Sequence, residues 1–161
     1  MNNTKVIVND KSNCVKEVIN REKGTVTYII SDLGKFIRKN KTLKKEGALD
    51  VYSEFCCINV TWISEQNRDS YLRPIVSVAK VTDGDTFNEE AGKRIAWAKL
   101  MKKVYARLIK INTFNYRFYV SKLSNYYCNN VYNNHIDDWS ARAQRFDTIY
   151  NGKQSNVKKE S

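Results

Sequence analysis

The stretch from Val76 to Ile111, VSVAKVTDGDTFNEEAGKRIAWAKLMKKVYARLIKI, constrains the fold of this chain most. It reads as a strand, a tight turn and the best-marked helix in the sequence. Asp83-Gly84 is a turn dipeptide, because glycine accepts a positive φ and aspartate bonds its own backbone. Thr86 followed by Glu89 fits a capping box. Glu89 and Glu90 place negative charge in the first turn, where the helix dipole favours it. From Ala91 onward, apolar residues recur with helical period at Ala91, Ile95, Ala98, Met101, Tyr105, Leu108 and Ile109, with Trp97 and Val104 at one flank.

The opposite face collects cations. Lys99, Lys103, Arg107 and Lys110 follow at i, i+4, i+8 and i+11, so they stack along one stripe. Lys93 extends the stripe toward the helix start, and Ala96, Leu100 and Ala106 lie between the charges. Like charges at i, i+4 repel by a few tenths of a kcal/mol per pair, yet no acidic residue interrupts the run between Glu90 and the helix end. Such a face is either a solvated surface or one that meets an anion. The formal charge of +11 over 161 residues points toward an anionic partner, either nucleic acid or a nucleoprotein complex.

Length predicts one compact domain over residues 1–152, with a basic mobile tail at 153–161. No apolar run approaches the roughly 20 residues that span a bilayer. MNNTKVIVNDK lacks the apolar centre of a signal peptide, so a cytoplasmic location is expected and no membrane partner. Cys14, Cys56, Cys57 and Cys128 form no C-x-x-C pair and read as reduced, mostly buried small hydrophobes. With His135 the single histidine, a zinc site and general-base catalysis are both disfavoured. Asp83, Asp85, Glu89 and Glu90 gather at the helix mouth, but capping accounts for them without a cation. No phosphate loop or nucleophile motif is present. The expectation is a protein without cofactor, metal or catalytic set.

Taken in order, Thr4 to Val8 is a short strand, and Asn9 to Asn13 a polar break. Val15 to Asn20 and Thr25 to Ile30 form a hairpin across Arg21-Glu22-Lys23-Gly24. A short helix from Asp32 then leads into a basic loop that ends at Gly47. Lys35, Arg38, Lys39, Lys41, Lys44 and Lys45 fall here, as a solvated surface or a phosphate-contacting arm. Ala48 to Ile63 reads as a strand, with Tyr52, Glu54, Cys56, Ile58, Val60 and Trp62 on one face. Ser64 to Ser70 is a loop, and Leu72 to Val81 a further strand with Pro74 at its tolerant start. Trp62, Tyr71 and Pro74 either pack or present a stacking surface.

Asn112-Thr113 suggests a break and a new cap. The aromatic-rich Phe114 to Tyr132 reads as a further helix, in which Tyr116, Arg117 and Tyr127 would meet a single strand if one binds. Asp137 or Asp138 caps a last helix through about Tyr150, closed by Gly152. The predicted fold is α+β: an antiparallel sheet of about four to five strands packed against a long central helix and C-terminal helices.

The segment Asp85-Thr-Phe-Asn-Glu-Glu-Ala-Gly92-Lys93-Arg-Ile95-Ala96 resembles a pattern in small accessory proteins of phages and prophages from AT-rich bacteria. The likeness covers the strand–turn–helix unit, about a quarter of the chain. It implies a protein deployed against, or alongside, host nucleic-acid machinery. Several anti-defence proteins of this kind, anti-CRISPRs among them, are small non-enzymatic binders. The expected function is therefore inhibition of a host nucleic-acid-handling defence complex by occupancy. The alternative is direct DNA or RNA binding in phage replication or transcription. Either activity would rest on Lys93, Lys99, Lys103, Arg107, Lys110, the Lys35–Lys45 group and Arg117.

Overall fold

The computed structural model describes residues 6–11, 14–62, 70–82, 84–122 and 139–145. The architecture is α+β. Strands β1 (Val6–Lys11), β2 (Val15–Asn20), β3 (Thr25–Ile30) and β4 (Ile75–Lys80) pair antiparallel in the order β1-β2-β3-β4. Helices α1 (Leu33–Lys39), α2 (Lys41–Lys45) and α3 (Ala48–Trp62) lie between β3 and β4 in sequence, and the long α4 spans Glu89–Lys122. Residues 139–145 form a further helical segment, α5.

The β2–β3 hairpin forms where the residues ask for it. Gly24 stands at φ +55 and its N–H bonds the Arg21 carbonyl, a conformation that costs other residues more than glycine. The register pairs Asn20 with Thr25 and Val15 with Ile30. Alternation then sends Val15, Glu17 and Ile19 to the same side as Val26, Tyr28 and Ile30, and Ile75, Ser77 and Ala79 of β4 join them. These three strands floor the core. β1 continues the sheet beyond β2 and runs to Lys11, so part of the expected polar break is strand.

α4 covers the floor. Leu100, Val104, Leu108 and Ile111 are fully buried, each worth about 1.5–3 kcal/mol for the apolar surface withdrawn from water. Gly92 lets the helix start close to the sheet: a Cβ there would sit 2.9 Å from Val26 Cγ2. Ser77 donates to the Ala96 carbonyl at 2.8 Å, fixing β4 to the helix. Glu17 lies wholly buried and accepts from the Tyr28 hydroxyl at 2.6 Å. Burial first, and then this carboxylate, push the Tyr28 phenol well above its usual range.

Several sequence expectations need correction. Ala48 to Ile63 supplies no strand: α3 occupies Ala48–Trp62. Its buried positions are Ala48, Val51, Phe55 and Ile58, spaced as one helix face, and the strand preference of its β-branched and aromatic residues yields to that packing. Cys56 and Cys57 are accordingly exposed on a helix, while Cys14 is buried. The basic loop before Gly47 contains a helix of its own, α2.

The capping box at Thr86 gives way to Asn88, whose side chain accepts from the Ala91 N–H at 3.0 Å. α4 does not break at Asn112-Thr113. Asn112 and Asn115 are buried within it, and Asn115 donates to the Val51 carbonyl at 2.9 Å, so a tertiary bond offsets the poor helix propensity of asparagine. Ala96 and Leu100, placed among the charges, are fully buried.

α5 is anchored by Trp139, fully buried, and by Arg142, which pairs with Glu46 at 2.7 Å. Tyr105 donates to the same carboxylate at 3.0 Å, and its pKa is pushed up to about 12 by burial and then by Glu46. The expectations for Thr4, Asp83, Ile63, the loop before Ser70, Tyr127, Cys128, His135, Asp137, Asp138, Phe146 to Gly152 and the tail at 153–161 lie outside the described residues, as does the Trp62 side chain. Among the described residues no helix is long and apolar enough to cross a membrane.

Candidate functional site

The basic stripe of α4 lies along the outer edge of β4. Which β4 groups point outward follows from the pairing. Val81 donates to the Gly24 carbonyl, so in the β3–β4 register the hydrogen-bonded pairs are Val26–Ala79, Tyr28–Ser77 and Ile30–Ile75. The N–H and C=O groups of Val76 and Val78 therefore face away from β3. Lys103 Nζ donates to the Val76 carbonyl at 2.6 Å and Lys99 Nζ to the Val78 carbonyl at 3.2 Å. One turn further, Arg107 donates to the carbonyls of Tyr71 and Arg73, the latter at 3.3 Å. Lys110 donates to the Ser70 hydroxyl at 3.1 Å and sits 4.5 Å from the Tyr71 ring centroid, a cation–π distance.

The match is one of spacing. Four residues of helix advance about 6 Å, and two residues of strand about 6.7 Å. Because α4 runs opposite to β4, the step from Lys99 to Lys103 matches the step from the Val78 carbonyl back to that of Val76, and Arg107 then meets carbonyls of the segment before the strand.

Engagement does not neutralise the row. Lys103, Arg107 and Lys110 bond to carbonyl and hydroxyl oxygens, and among the described residues no carboxylate pairs with them. Burial, then the nearby Arg73, holds the Arg107 guanidinium below its usual value. Lys93 is different. It pairs with Glu89 at 2.7 Å and Glu90 at 3.4 Å, and its pKa is raised chiefly by the bond to Glu89. Arg21 also reaches Glu89, at 3.0 Å. The cation at the helix start is thus internally compensated and stands apart from Lys103, Arg107 and Lys110.

Beside the row, Pro74, Val76, Lys103, Ala106, Arg107 and Lys110 border an open groove of about 450 Å³. Val76 of its lining and Val78, two residues on, are exposed, at 41% and 44%. They belong to the face of the sheet opposite α4, where the register places Val18, Thr27 and Val78 in one row and Lys16, Ile29 and Val76 in the next. That face of β2, β3 and β4 carries no aromatic side chain. Alternation in the sequence held the signal for Val76 and Val78, which were not among the expected site residues.

The second basic group is built differently. Lys35, Arg38, Lys39, Lys41, Lys44 and Lys45 are all exposed on α1 and α2. Arg38 and Lys39 end α1, and Lys44 and Lys45 end α2, where cations complement the helix dipole. Asp32 and Asn40 cap these helices by accepting from the N–H groups of Lys35 and Leu43. α1 and α2 pack on α3, whereas the α4 row borders β4. Arg117 is exposed near the far end of α4, one turn beyond the half-buried Phe114, whose ring stacks with Phe55 and Tyr71 at 5.5 and 5.7 Å. Tyr71 is therefore packed rather than presented.

Neither a protein-family profile, nor a curated protein, nor a solved structure matches this chain.

Proposed function

We propose that this chain is a small, non-enzymatic, anti-CRISPR-like binding protein that inhibits a host nucleic-acid-handling defence complex by occupancy, meeting an anionic surface on it. The resemblance to phage accessory proteins supplies the setting, the host cytoplasm. The observation that carries the reading is the ordered row of Lys103, Arg107 and Lys110, fixed by neutral acceptors and beside a groove. Cations held in place without a carboxylate retain their charge and lose little side-chain entropy when an anion arrives.

Direct binding to nucleic acid is the second reading, and the same row would then track phosphates. The sheet face opposite α4 weighs against single strands, because base stacking needs aromatic platforms and this face of β2, β3 and β4 presents only aliphatic, threonine, asparagine and lysine side chains. Gel shifts with random duplex and single-stranded probes at two salt concentrations separate the two readings. A direct binder loses affinity steeply as salt rises. The inhibitor reading expects weak binding to either probe and co-purification with a host protein, lost on charge reversal of Lys103, Arg107 and Lys110. Retention of the partner by that variant overturns the reading.

A further inference from the structure

We infer that the outer edge of β4 accepts an extended acidic segment of a partner protein as an added strand. This rests on the reading above, and it names the partner chemistry. Three observations converge on it. First, among the described residues β4 ends the sheet, and the N–H groups of Val76 and Val78 point outward. Among the described residues no acceptor takes them. Their carbonyls are served by Lys103 and Lys99, so the edge is satisfied as an acceptor and open as a donor. Second, Lys103, which serves the Val76 carbonyl, also lines the groove alongside, together with Arg107 and Lys110. Third, Val76 and Val78 are exposed apolar residues at the margin of the sheet face opposite α4, each next to its row partner, Ile29 and Thr27.

An added strand would meet two environments. Successive side chains point to opposite faces, so one set lies beside Val76 and Val78 and the other faces the cation row of α4. Alternating apolar and acidic residues fit both. The incoming carbonyls accept from the Val76 and Val78 N–H groups. Its own N–H groups replace the lysine ammoniums on the outward carbonyls, and those ammoniums turn to carboxylates, exchanging neutral acceptors for charge-assisted ones. Backbone bonds then supply affinity and the alternate side chains specificity, as in strand addition generally.

Charge argues against a second copy of this chain as the occupant. Two β4 edges pairing antiparallel would bring two cation rows to the same side of one continuous sheet, in a protein already at +11. Lysines beside an edge also discourage indiscriminate pairing, which is compatible with selection for an acidic strand.

The test uses fluorescein-labelled, end-blocked peptides of eight residues and the intact protein, read by anisotropy. A peptide alternating valine and glutamate is expected to bind at least about tenfold more tightly than its valine–lysine counterpart. In a strand the N–H groups of the valines point to one edge and those of the glutamates to the other. N-methylation of one set should therefore abolish binding, and methylation of the other set should leave it. Val78→Pro should weaken binding about tenfold with the fold intact, because that N–H takes no part in the pairing with β3. Equal behaviour of the two methylated peptides, or no binding by the valine–glutamate peptide, overturns strand addition. If the peptide binds regardless of methylation but fails with Lys103, Arg107 and Lys110 reversed, strand addition falls and the anionic-partner reading stands. Binding indifferent to both changes removes the two together.

Discussion

Lys103, Arg107 and Lys110 carry the same formal charge as Lys41, Lys44 and Lys45, yet the two sets do different physical work. The first set is seated by carbonyl and hydroxyl acceptors at a strand edge, next to a groove. The second projects into solvent near the ends of a five-residue helix, where it complements a dipole. A count of basic residues cannot tell these situations apart. The distinction is one of preorganisation: an anion meeting the α4 row finds cations already placed, whereas one meeting α2 must order three long side chains, at about 0.5–1.5 kcal/mol each.

The most severe way to break the comparison is to remove the seat that the α4 row shares. Leu100 is fully buried beneath it, and Leu100→Ala should cost about 2–5 kcal/mol in chemical denaturation. Partner binding should fall in step with the folded fraction. Next comes matched charge reversal. Replacing Lys103, Arg107 and Lys110 by glutamate should weaken partner binding by about 2 kcal/mol or more, roughly 30-fold. The same exchange at Lys41, Lys44 and Lys45 should cost far less, because charges about 10 Å or more from a contact are largely screened at physiological salt. Equal losses in a titration would erase the contrast and leave net charge as the whole explanation.

A finer test uses the caps. Asn88→Ala and Asn40→Ala each remove a side-chain acceptor at a helix start, and each should cost about 1 kcal/mol. Only the first should disturb the α4 row, which is readable as a loss of affinity beyond the loss of stability. The smallest effect concerns the compensated cation. Bonds from Lys93, then Arg21, hold the Glu89 carboxyl below its usual range. A depressed folded pKa gives stability above the unfolded value, about 4.3, that is lost as pH falls through the folded one. Melting temperature should therefore drop below about pH 4.5 by slightly less in Glu89→Gln than in the parent, with no change in partner binding at neutral pH.

Much of this was legible in the residues. Gly24 marked the hairpin, Asp32 marked the start of α1, and the spacing of Lys99, Lys103, Arg107 and Lys110 placed them on one line. What that line faces was not legible, because it depends on which strand ends the sheet, and pairing order is a property of the whole chain. The misreading of Ala48–Trp62 has the same origin. Its side chains alternate well enough for a strand, and its β-branched and aromatic residues favour one, but Val51, Phe55 and Ile58 are also spaced for a helix. Contact with Asn115 and Phe114 of α4 selects the second solution. Asn112-Thr113 misled for the converse reason: locally the pair favours a stop, but Asn112 is buried within α4, and Asn115, one turn on, bonds Val51 of α3.

The pitch relation between α4 and β4 has a consequence for how this chain can vary. Each step along the pair leaves a residual of about 0.7 Å between helix and strand, a vernier that stays readable for only a few divisions. After Lys99 and Lys103 the strand has ended, so Arg107 meets the carbonyls of Tyr71 and Arg73 and Lys110 the Ser70 hydroxyl. Insertion of one residue between Val76 and Val78, or between Lys99 and Lys103, would put the two strand divisions out of step with each other. A change of length in the segment joining them would shift none.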